Sequence, residues 1–182
     1  DLMGPLRTEA GPKYIVAVSD AFTKQLRLAT VAQKSAPEVA EVIWRHWITI
    51  FGVPQVIVTD NGREFNNNLQ RCLWTALGID HRFTSPFYPR CNLQVERTNR
   101  DTAKYLRAAI LDANTKVTDW ERFLPALTLS LNSAVNSATG KSPHEALLGY
   151  DPRVPLWPDV SNILGRKSNS LPADAAAYLD SW

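Results

Sequence analysis

The stretch Val56-Ile57-Val58-Thr59-Asp60-Asn61-Gly62 is a run of β-branched residues that ends in a carboxylate and a turn dipeptide. This pattern predicts a short buried strand, because β-branched residues favour strands and Asn-Gly favours a tight turn. Asp60 would lie at the C-terminal end of the strand, where open α/β sheets carry their functional groups. The alternative is that Asp60 only shapes the turn, since Asp-Asn-Gly is a strong turn signal.

The segments around this strand predict an α/β fold. Strands are expected at 1–6, 14–18 and 26–31, joined as an antiparallel meander through a turn at Asp20. A helix should follow from Ser35, which has capping-box spacing to Glu38, with one apolar face of Val39, Ile43, Trp47 and Ile50. After Asp60 we expect a helix closed by Gly78, with an apolar face of Leu69, Cys72, Leu73, Ala76 and Leu77, and then a fifth strand at 79–84.

The second half of the chain predicts helices. Residues 85–92 read as a loop because of their two prolines. Beyond it, one helical stripe holds Val95, Asn99, Thr102, Leu106 and Ile110, and the adjacent stripe holds Glu96, Arg100, Lys104 and Arg107. Further helices are expected from the capping-box spacing at Thr118 and from Ser142 to Gly149. Prolines are frequent after Tyr150, so residues 156–182 are interpreted as an arm or linker.

Composition limits the class of protein. The chain has 182 residues and a formal net charge of +2, which fits one domain with an extension. Cys72 and Cys91 are too few for a disulfide framework and have no histidine at zinc-ligand spacing, so we expect a reducing, intracellular compartment. No run of 18 apolar residues is present, so no membrane partner is expected.

Basic residues concentrate around Glu96. The segment from Arg90 to Arg107 holds five basic residues against two acidic ones, a local sum of +3. A solvated helix face would explain this charge, and so would a surface for DNA phosphates. Glu96 alone is also typical of an exposed helix residue.

Four motifs resemble one family. They are Asp1 to Leu6, Phe51-Gly52-Val53-Pro54 leading into Asp60-Asn61-Gly62, Gln94-Val95-Glu96-Arg97, and a last group of Leu131-Asn132-Ser133, Thr139 to Pro143 and Leu148-Gly149-Tyr150. Together they resemble the catalytic core of retroviral and long-terminal-repeat retrotransposon integrases, most closely the gypsy-like branch. The acids at 60 and 96 differ by 36 positions and so have 35 residues between them. The resemblance covers residues 1–155, which we take as the core.

The resemblance implies a ribonuclease-H-like fold with a mixed five-stranded sheet flanked by helices. It further implies a metal-dependent polynucleotidyl transferase and endonuclease that processes DNA 3' ends and transfers them into target DNA. Asp1, Asp60 and Glu96 would be the catalytic residues and the ligands of Mg²⁺ or Mn²⁺. The expected DNA-binding residues are Asn61, Arg90, Asn92, Gln94, Asn99, Arg100, Lys104 and Arg107.

The same resemblance implies the partners. These are the DNA ends of the element, target DNA, further copies of the chain in a dimer or larger oligomer, and the other integrase domains of the same polyprotein. The expected location is the nucleus.

Three alternatives remain at this stage. Asp20 is a rival first acid, although its place before a turn is typical of a capping Asp. A related cut-and-paste transposase would use the same chemistry. A host-domesticated protein that only binds DNA or protein is the third, because Leu93 stands where gypsy-like elements usually carry Gly.

Overall fold

The computed structural model of the chain describes residues 1–84, 89–112 and 116–152, without the side chains of residues 89–97 and 112. Its strands are β1 (Leu2–Thr8), β2 (Gly11–Ser19), β3 (Leu26–Val31), β4 (Val56–Thr59) and β5 (Asp80–Phe83). Strand β1 pairs antiparallel with β2, which has β3 on its other side, and β4 pairs parallel with β5. The strand order and the mixed pairing are as predicted.

The pairing of β4 differs from the expectation of one five-stranded sheet. In the described residues, strands β1, β2 and β3 form one hydrogen-bonded sheet, and β4 and β5 form a second. The backbone hydrogen bonds of the short β4 are made with β5. Strand β4 is also less buried than predicted. Ile57 packs on the core, but Val56 and Val58 alternate with it and are 39% and 56% exposed. Since side chains of a strand point alternately to its two faces, only one face of β4 is covered.

The helices are α1 (Ala36–Ile43), a π-helical turn (Trp44–Ile48), α2 (Thr49–Phe51), α3 (Asn68–Ala76), α4 (Pro89–Asp112), a 3-10 helix (Val117–Phe123), α5 (Leu124–Ser133) and α6 (Pro143–Leu148). Helix α4 begins at Pro89, so the end of the predicted loop at residue 92 is wrong. Proline suits the first position of a helix, where its missing N–H has no intrahelical partner. Across the described ranges, we find no helix that combines the length and the apolar character needed to cross a membrane.

The first helical segment begins at the predicted residue but departs from the predicted face. Ser35 is the N-cap residue without a side-chain capping bond, while the Glu38 carboxylate accepts from the Gln33 N–H at 3.0 Å. The π-helical turn then adds a residue to one turn and rotates the following side chains. Ile48 is therefore buried, whereas Ile50 is half exposed.

Helix α3 turns a different face to the core than predicted. Gln70 and Trp74 are buried, with Leu73 and Leu77 packed partly against the core, while Leu69 and Cys72 are exposed. The apolar pattern does not include Gln70, because a glutamine is ordinarily exposed. Its side-chain amide donates to the Ala36 carbonyl at 3.2 Å.

The described residues form two compact units. The first holds residues 1–19 and 27–102, and its core is the cluster of Val16, Ala29, Val31, Val39, Val42, Ile43, Ile48, Phe65, Trp74 and Ile79. The second holds residues 20–26 and those from 103 onward, and its buried apolar residues include Leu106, Ile110, Trp120, Phe123, Leu124 and Leu127.

The second unit confirms most of the predicted helical pattern. Helix α6 has the predicted cap, since the Ser142 hydroxyl accepts from the Glu145 N–H at 3.0 Å, and it ends at Gly149 with a φ of 80°. The helix expected from Thr118 starts as a 3-10 helix at Val117, whose N-cap Lys116 makes no side-chain capping bond. The predicted arm at 156–182 lies outside the described residues, so the boundary at residue 155 stays a prediction.

Candidate active site

Asp60 directly follows β4 and holds a tight turn. Its Oδ1 accepts from the Gly62 N–H at 3.0 Å, and the Gly62 carbonyl accepts from the N–H groups of Phe65 and Asn66. Phe65 is 2% exposed and belongs to the core. The turn is therefore anchored, while the Asp60 side chain is exposed and its Oδ2 accepts no hydrogen bond within the described residues. Asp60 thus shapes the turn with one oxygen and offers the other to solvent.

Asp1 is held between a strand and a helix. Its backbone carbonyl accepts from the Ala17 N–H at 2.8 Å, which places it on β2. Its Oδ1 accepts from the Leu2 N–H at 2.6 Å, and its Oδ2 accepts from the Nδ2 of Asn99 on α4. Asn99 therefore fixes the Asp1 carboxylate from the helix that also contains Glu96.

The charges of Asp60 and Glu64 reach Asp1. The negative charges of these two carboxylates act on the backbone nitrogen of Asp1. Because such interactions weaken with distance, both carboxylates lie in the neighbourhood of Asp1. The structure thus brings Asp1 and Asp60, which are far apart in sequence, to one region.

Glu96 lies in α4, three residues before Asn99. Residues three apart occupy neighbouring positions along a helix, so the backbone of Glu96 is one turn from the contact with Asp1. Its side chain, and those of the predicted DNA-binding residues Arg90, Asn92 and Gln94, lie outside the described residues. The assignment of these four residues stays a prediction.

Of the other predicted DNA-binding residues, Asn99 is partly buried, with its Oδ1 buried and its Nδ2 donating to Asp1, while the rest are accessible. Arg100, Lys104 and Arg107 are exposed on α4, whereas Thr102, Leu106 and Ile110 on the predicted apolar stripe are buried. Asn61 is also exposed, and its Oδ1 accepts from the Asn66 Nδ2 at 2.7 Å. This arrangement suits contact with a phosphate backbone, and it equally suits a solvated face.

Sequence reasoning missed Glu64. Only 6% of the surface of Glu64 is exposed, and its carboxylate forms an ion pair with the Lys34 Nζ at 2.8 Å. A glutamate in a polar loop is expected to be exposed. The available signal was Phe65, because an apolar residue inside a polar loop shows that the loop packs on the core.

The donor chemistry suits a hard divalent cation. Mg²⁺ prefers oxygen ligands and keeps several waters, so a few carboxylates are sufficient. Asp1 and Asp60 supply such oxygens, and Glu96 would supply a third carboxylate. Among the described side chains, no group of three His, Cys, Asp or Glu residues is arranged to hold a metal, and Glu96 is not among those side chains.

Comparison with known proteins identifies the fold. The structure is similar to a chain of the simian T-cell lymphotropic virus intasome in complex with the PP2A regulatory subunit B56 gamma, with a TM-score of 0.70 and 22% identity over 85% of this chain and 54% of that chain. The HTLV-2 integrase catalytic core domain in complex with magnesium gives a TM-score of 0.65 at 20% identity, over 80% of this chain and 91% of that one. The fold is therefore the ribonuclease-H-like α/β fold of integrase catalytic cores.

Sequence comparison gives the family. Residues 1–89 match the family described as "Integrase core domain", a match that includes Asp1 and Asp60 and ends before Glu96. The Pol polyprotein of feline endogenous virus ECE1 is 32% identical over 143 residues, 79% of this chain and 13% of the viral protein. A retrovirus-related Pol polyprotein from transposon 412 of Drosophila melanogaster is 29% identical over 156 residues, 85% of this chain and 12% of that protein.

The chain is an integrase catalytic core of the retroviral and retrotransposon family, as its four motifs predict. These relatives include retroviruses and a retrotransposon, so the gypsy-like branch stays a prediction. The chain spans about an eighth of the length of these polyproteins.

Proposed function

We propose that this chain is the catalytic core of an integrase that processes the 3' ends of element DNA and transfers them into target DNA. The observation that carries the proposal is the hydrogen bond from Asn99 to the Asp1 carboxylate. It holds the helix that contains Glu96 against the strand position that contains Asp1. Asp60, the remaining acid, is exposed on an anchored turn in the same neighbourhood.

Asp1, Asp60 and Glu96 would hold Mg²⁺ or Mn²⁺. The HTLV-2 core is known in complex with magnesium, which supports this choice of cation. Bound divalent ions supply Lewis-acid stabilisation of the attacking and leaving oxygens of a phosphodiester.

The residues of the chain itself orient the site and the DNA. Asn99 fixes the rotamer of Asp1 through its amide N–H, and the Gly62 N–H fixes that of Asp60. Basic side chains would neutralise phosphates, while amide side chains would hydrogen-bond phosphate, sugar or base edges. In this proposal the DNA-contacting residues are Asn61, Arg90, Asn92, Gln94, Asn99, Arg100, Lys104 and Arg107.

The proposed partners are element-end DNA, target DNA, further copies of this chain and the other integrase domains of its polyprotein. The dimeric and trimeric forms of the HTLV-2 core and the simian virus intasome support an oligomer. The reaction would take place in the nucleus.

The test replaces Asp60 by Asn and Glu96 by Gln in the full-length protein that carries this chain. Each substitution removes one anionic ligand, and a loss of about 4 kcal/mol in transition-state stabilisation slows the reaction on the order of a thousandfold. Strand transfer of an end-sequence duplex is measured with Mg²⁺ and with Mn²⁺. Thermal melting confirms that the variants are folded.

Asp80→Asn is the matched control, because Asp80 is an exposed carboxylate at the start of β5 that pairs with Arg82. We expect this variant to keep its activity. Activity within tenfold of wild type in Asp60→Asn or Glu96→Gln would contradict the site. A wild-type protein that binds DNA without transferring strands would instead support the non-catalytic, domesticated alternative.

A further inference from the structure

The pair of Lys34 and Glu64 lies beside the proposed site without belonging to it. The Glu64 side chain is 5% exposed, and its Oε1 lies 2.8 Å from the Lys34 Nζ. Half of the Lys34 side chain remains exposed. A buried carboxylate is costly unless it is paired, and Lys34 is the partner that compensates the burial of Glu64.

The Glu64 carboxyl group fills the space under the Asp60 turn. A Cβ added at Gly62 would lie 2.8 Å from the Cδ and from the Oε2 of Glu64. Real Cβ atoms do not approach that closely, so Gly62 rests directly on this carboxyl group. The N–H of the same Gly62 donates to the Asp60 Oδ1. The position of the Glu64 carboxyl group therefore limits where Gly62, the residue that orients Asp60, can lie.

The charge of Lys34 interacts with both Glu64 and Asp60. A hydrogen bond to Glu64 raises the pKa of Lys34 against the effect of its burial, and the negative charges of Glu64 and Asp60 raise it further. Lys34 therefore stays protonated at neutral pH. Without Lys34, the Glu64 side chain would be buried without its partner and would turn toward water, which alters its contact with Gly62.

We propose that Lys34 and Glu64 are positioning residues that hold the Gly62 turn, and through it the Asp60 carboxylate, in the orientation for binding a divalent metal. This inference rests on the proposed function, because it takes Asp60 as a metal ligand. Partners that orient metal ligands are worth about 10- to 100-fold in metal affinity in known sites, which is the effect expected here.

The test compares two double variants of equal charge. Lys34→Met with Glu64→Gln keeps the shape under Gly62, whereas Lys34→Met with Glu64→Ala leaves a void there. The pair is neutral in the wild type and in both variants. We expect the Gln variant to bind Mn²⁺ within about threefold of wild type and the Ala variant to bind about tenfold or more weakly. Free Mn²⁺ is titrated by electron paramagnetic resonance, and melting shows that each variant is folded.

The single variant Lys34→Met separates positioning from simple electrostatics. Removing a positive charge near the site should tighten Mn²⁺ binding if only charge matters. The positioning role predicts weaker binding, and Lys34→Arg should retain the wild-type affinity because it keeps the cation. The control is Lys141→Met with Glu145→Ala, which removes an exposed ion pair of 2.7 Å near α6 and should leave Mn²⁺ binding unchanged.

Two results overturn this inference. One is equal Mn²⁺ affinity in the two double variants, and the other is tighter binding by Lys34→Met. Asp60→Asn is titrated in the same experiment to keep the two proposals apart. If Asp60→Asn binds Mn²⁺ like the wild type, the proposed function fails. If Asp60→Asn loses binding while the Ala double variant keeps it, only the positioning role fails.

Discussion

Among the candidate acids whose side chains the structure describes, Asp20 makes the most hydrogen bonds, and all of them serve a turn. Its Oδ2 accepts from the Phe22 N–H at 3.2 Å, the Thr23 N–H at 2.6 Å and the Thr23 hydroxyl at 2.8 Å. The Asp20 N–H also donates to the Gln25 carbonyl across the turn. A carboxylate oxygen engaged in this way is a structural group, which agrees with the prediction that Asp20 is a capping residue and not the first catalytic acid.

Replacement of Asp20 by Asn should lower stability by about 1 kcal/mol, because the neutral amide oxygen accepts these bonds more weakly. Strand transfer should continue. In a protein extended upstream of residue 1, Asp1→Asn should abolish strand transfer while the melting temperature changes little. The two assays are a thermal melt and strand transfer. An inactive Asp20→Asn beside an active Asp1→Asn would mean that the first acid has been assigned to the wrong residue.

Single residues were predictable where their neighbours in sequence carry the signal. The Asp60 turn was predicted, since the strand before it and the Asn-Gly after it are local patterns. The ion pair of Glu64 was not predictable, because its partner is a lysine 30 positions earlier in the chain (64 minus 34). The same holds for Gly62, whose sequence context indicates a turn and conceals its contact with the Glu64 carboxyl group.

At the scale of elements, the first helix starts where predicted, after Ser35, whereas α4 starts inside the predicted loop, at Pro89. The face of the first helix follows the prediction through Ile43 and then shifts, because a pattern of 3.6 residues per turn does not anticipate a π-helical turn. Helix α4 keeps a regular stripe in its described side chains, so Thr102, Leu106 and Ile110 are buried as predicted.

The exposed basic stripe of α4 provides a test of DNA binding. Replacing Arg100, Lys104 and Arg107 together by Gln should weaken binding of an end-sequence duplex. It should also flatten the log-log salt dependence by up to roughly 0.9 per lost phosphate contact. Binding is measured from low to moderate salt, with melting to confirm folding.

The charge-matched control for this stripe replaces Lys24, Arg122 and Lys141 by Gln, which removes three positive charges elsewhere in the sequence. That variant should keep the wild-type slope, although long-range attraction weakens slightly. If the stripe variant is folded and has the same slope as the control, the stripe is only a charged exterior.

For the whole molecule, the α/β class and the order of elements were predictable, and the division into units was not. Asn132 explains why. Its side chain accepts from the Leu26 N–H and donates to the Leu26 carbonyl, both at 2.8 Å, across 106 positions of sequence. Asn132 is 1% exposed. Periodicity and capping are local signals, so a pair this distant leaves no trace in them.

Asn132→Ala should destabilise the protein strongly, because it leaves two backbone groups of Leu26 without their partner in a buried place. We expect a loss of about 2–6 kcal/mol in the free energy of unfolding, from roughly 1–3 kcal/mol for each of the two unsatisfied groups. Asn132→Asp should also be destabilising, since a carboxylate cannot donate to the Leu26 carbonyl.

Urea unfolding measures these losses, with Asn68→Ala as the control. Asn68 is exposed at the start of α3, so its replacement should change stability by no more than about 0.5 kcal/mol. Stability of Asn132→Ala within the same range would show that the contact with Leu26 contributes little.

The bond between Asn132 and Leu26 also sets an order of events during synthesis. Residues 20–26 are synthesised long before Asn132. Residues 27–102, which belong to the other unit, are therefore made before the partner of Leu26 is available. Contacts between residues so distant in sequence close slowly, because the intervening chain must lose its freedom first. Completion of the second unit is therefore a late step, because a nascent chain that stops before residue 132 forms the turn at Asp20 without the side chain that bonds to Leu26.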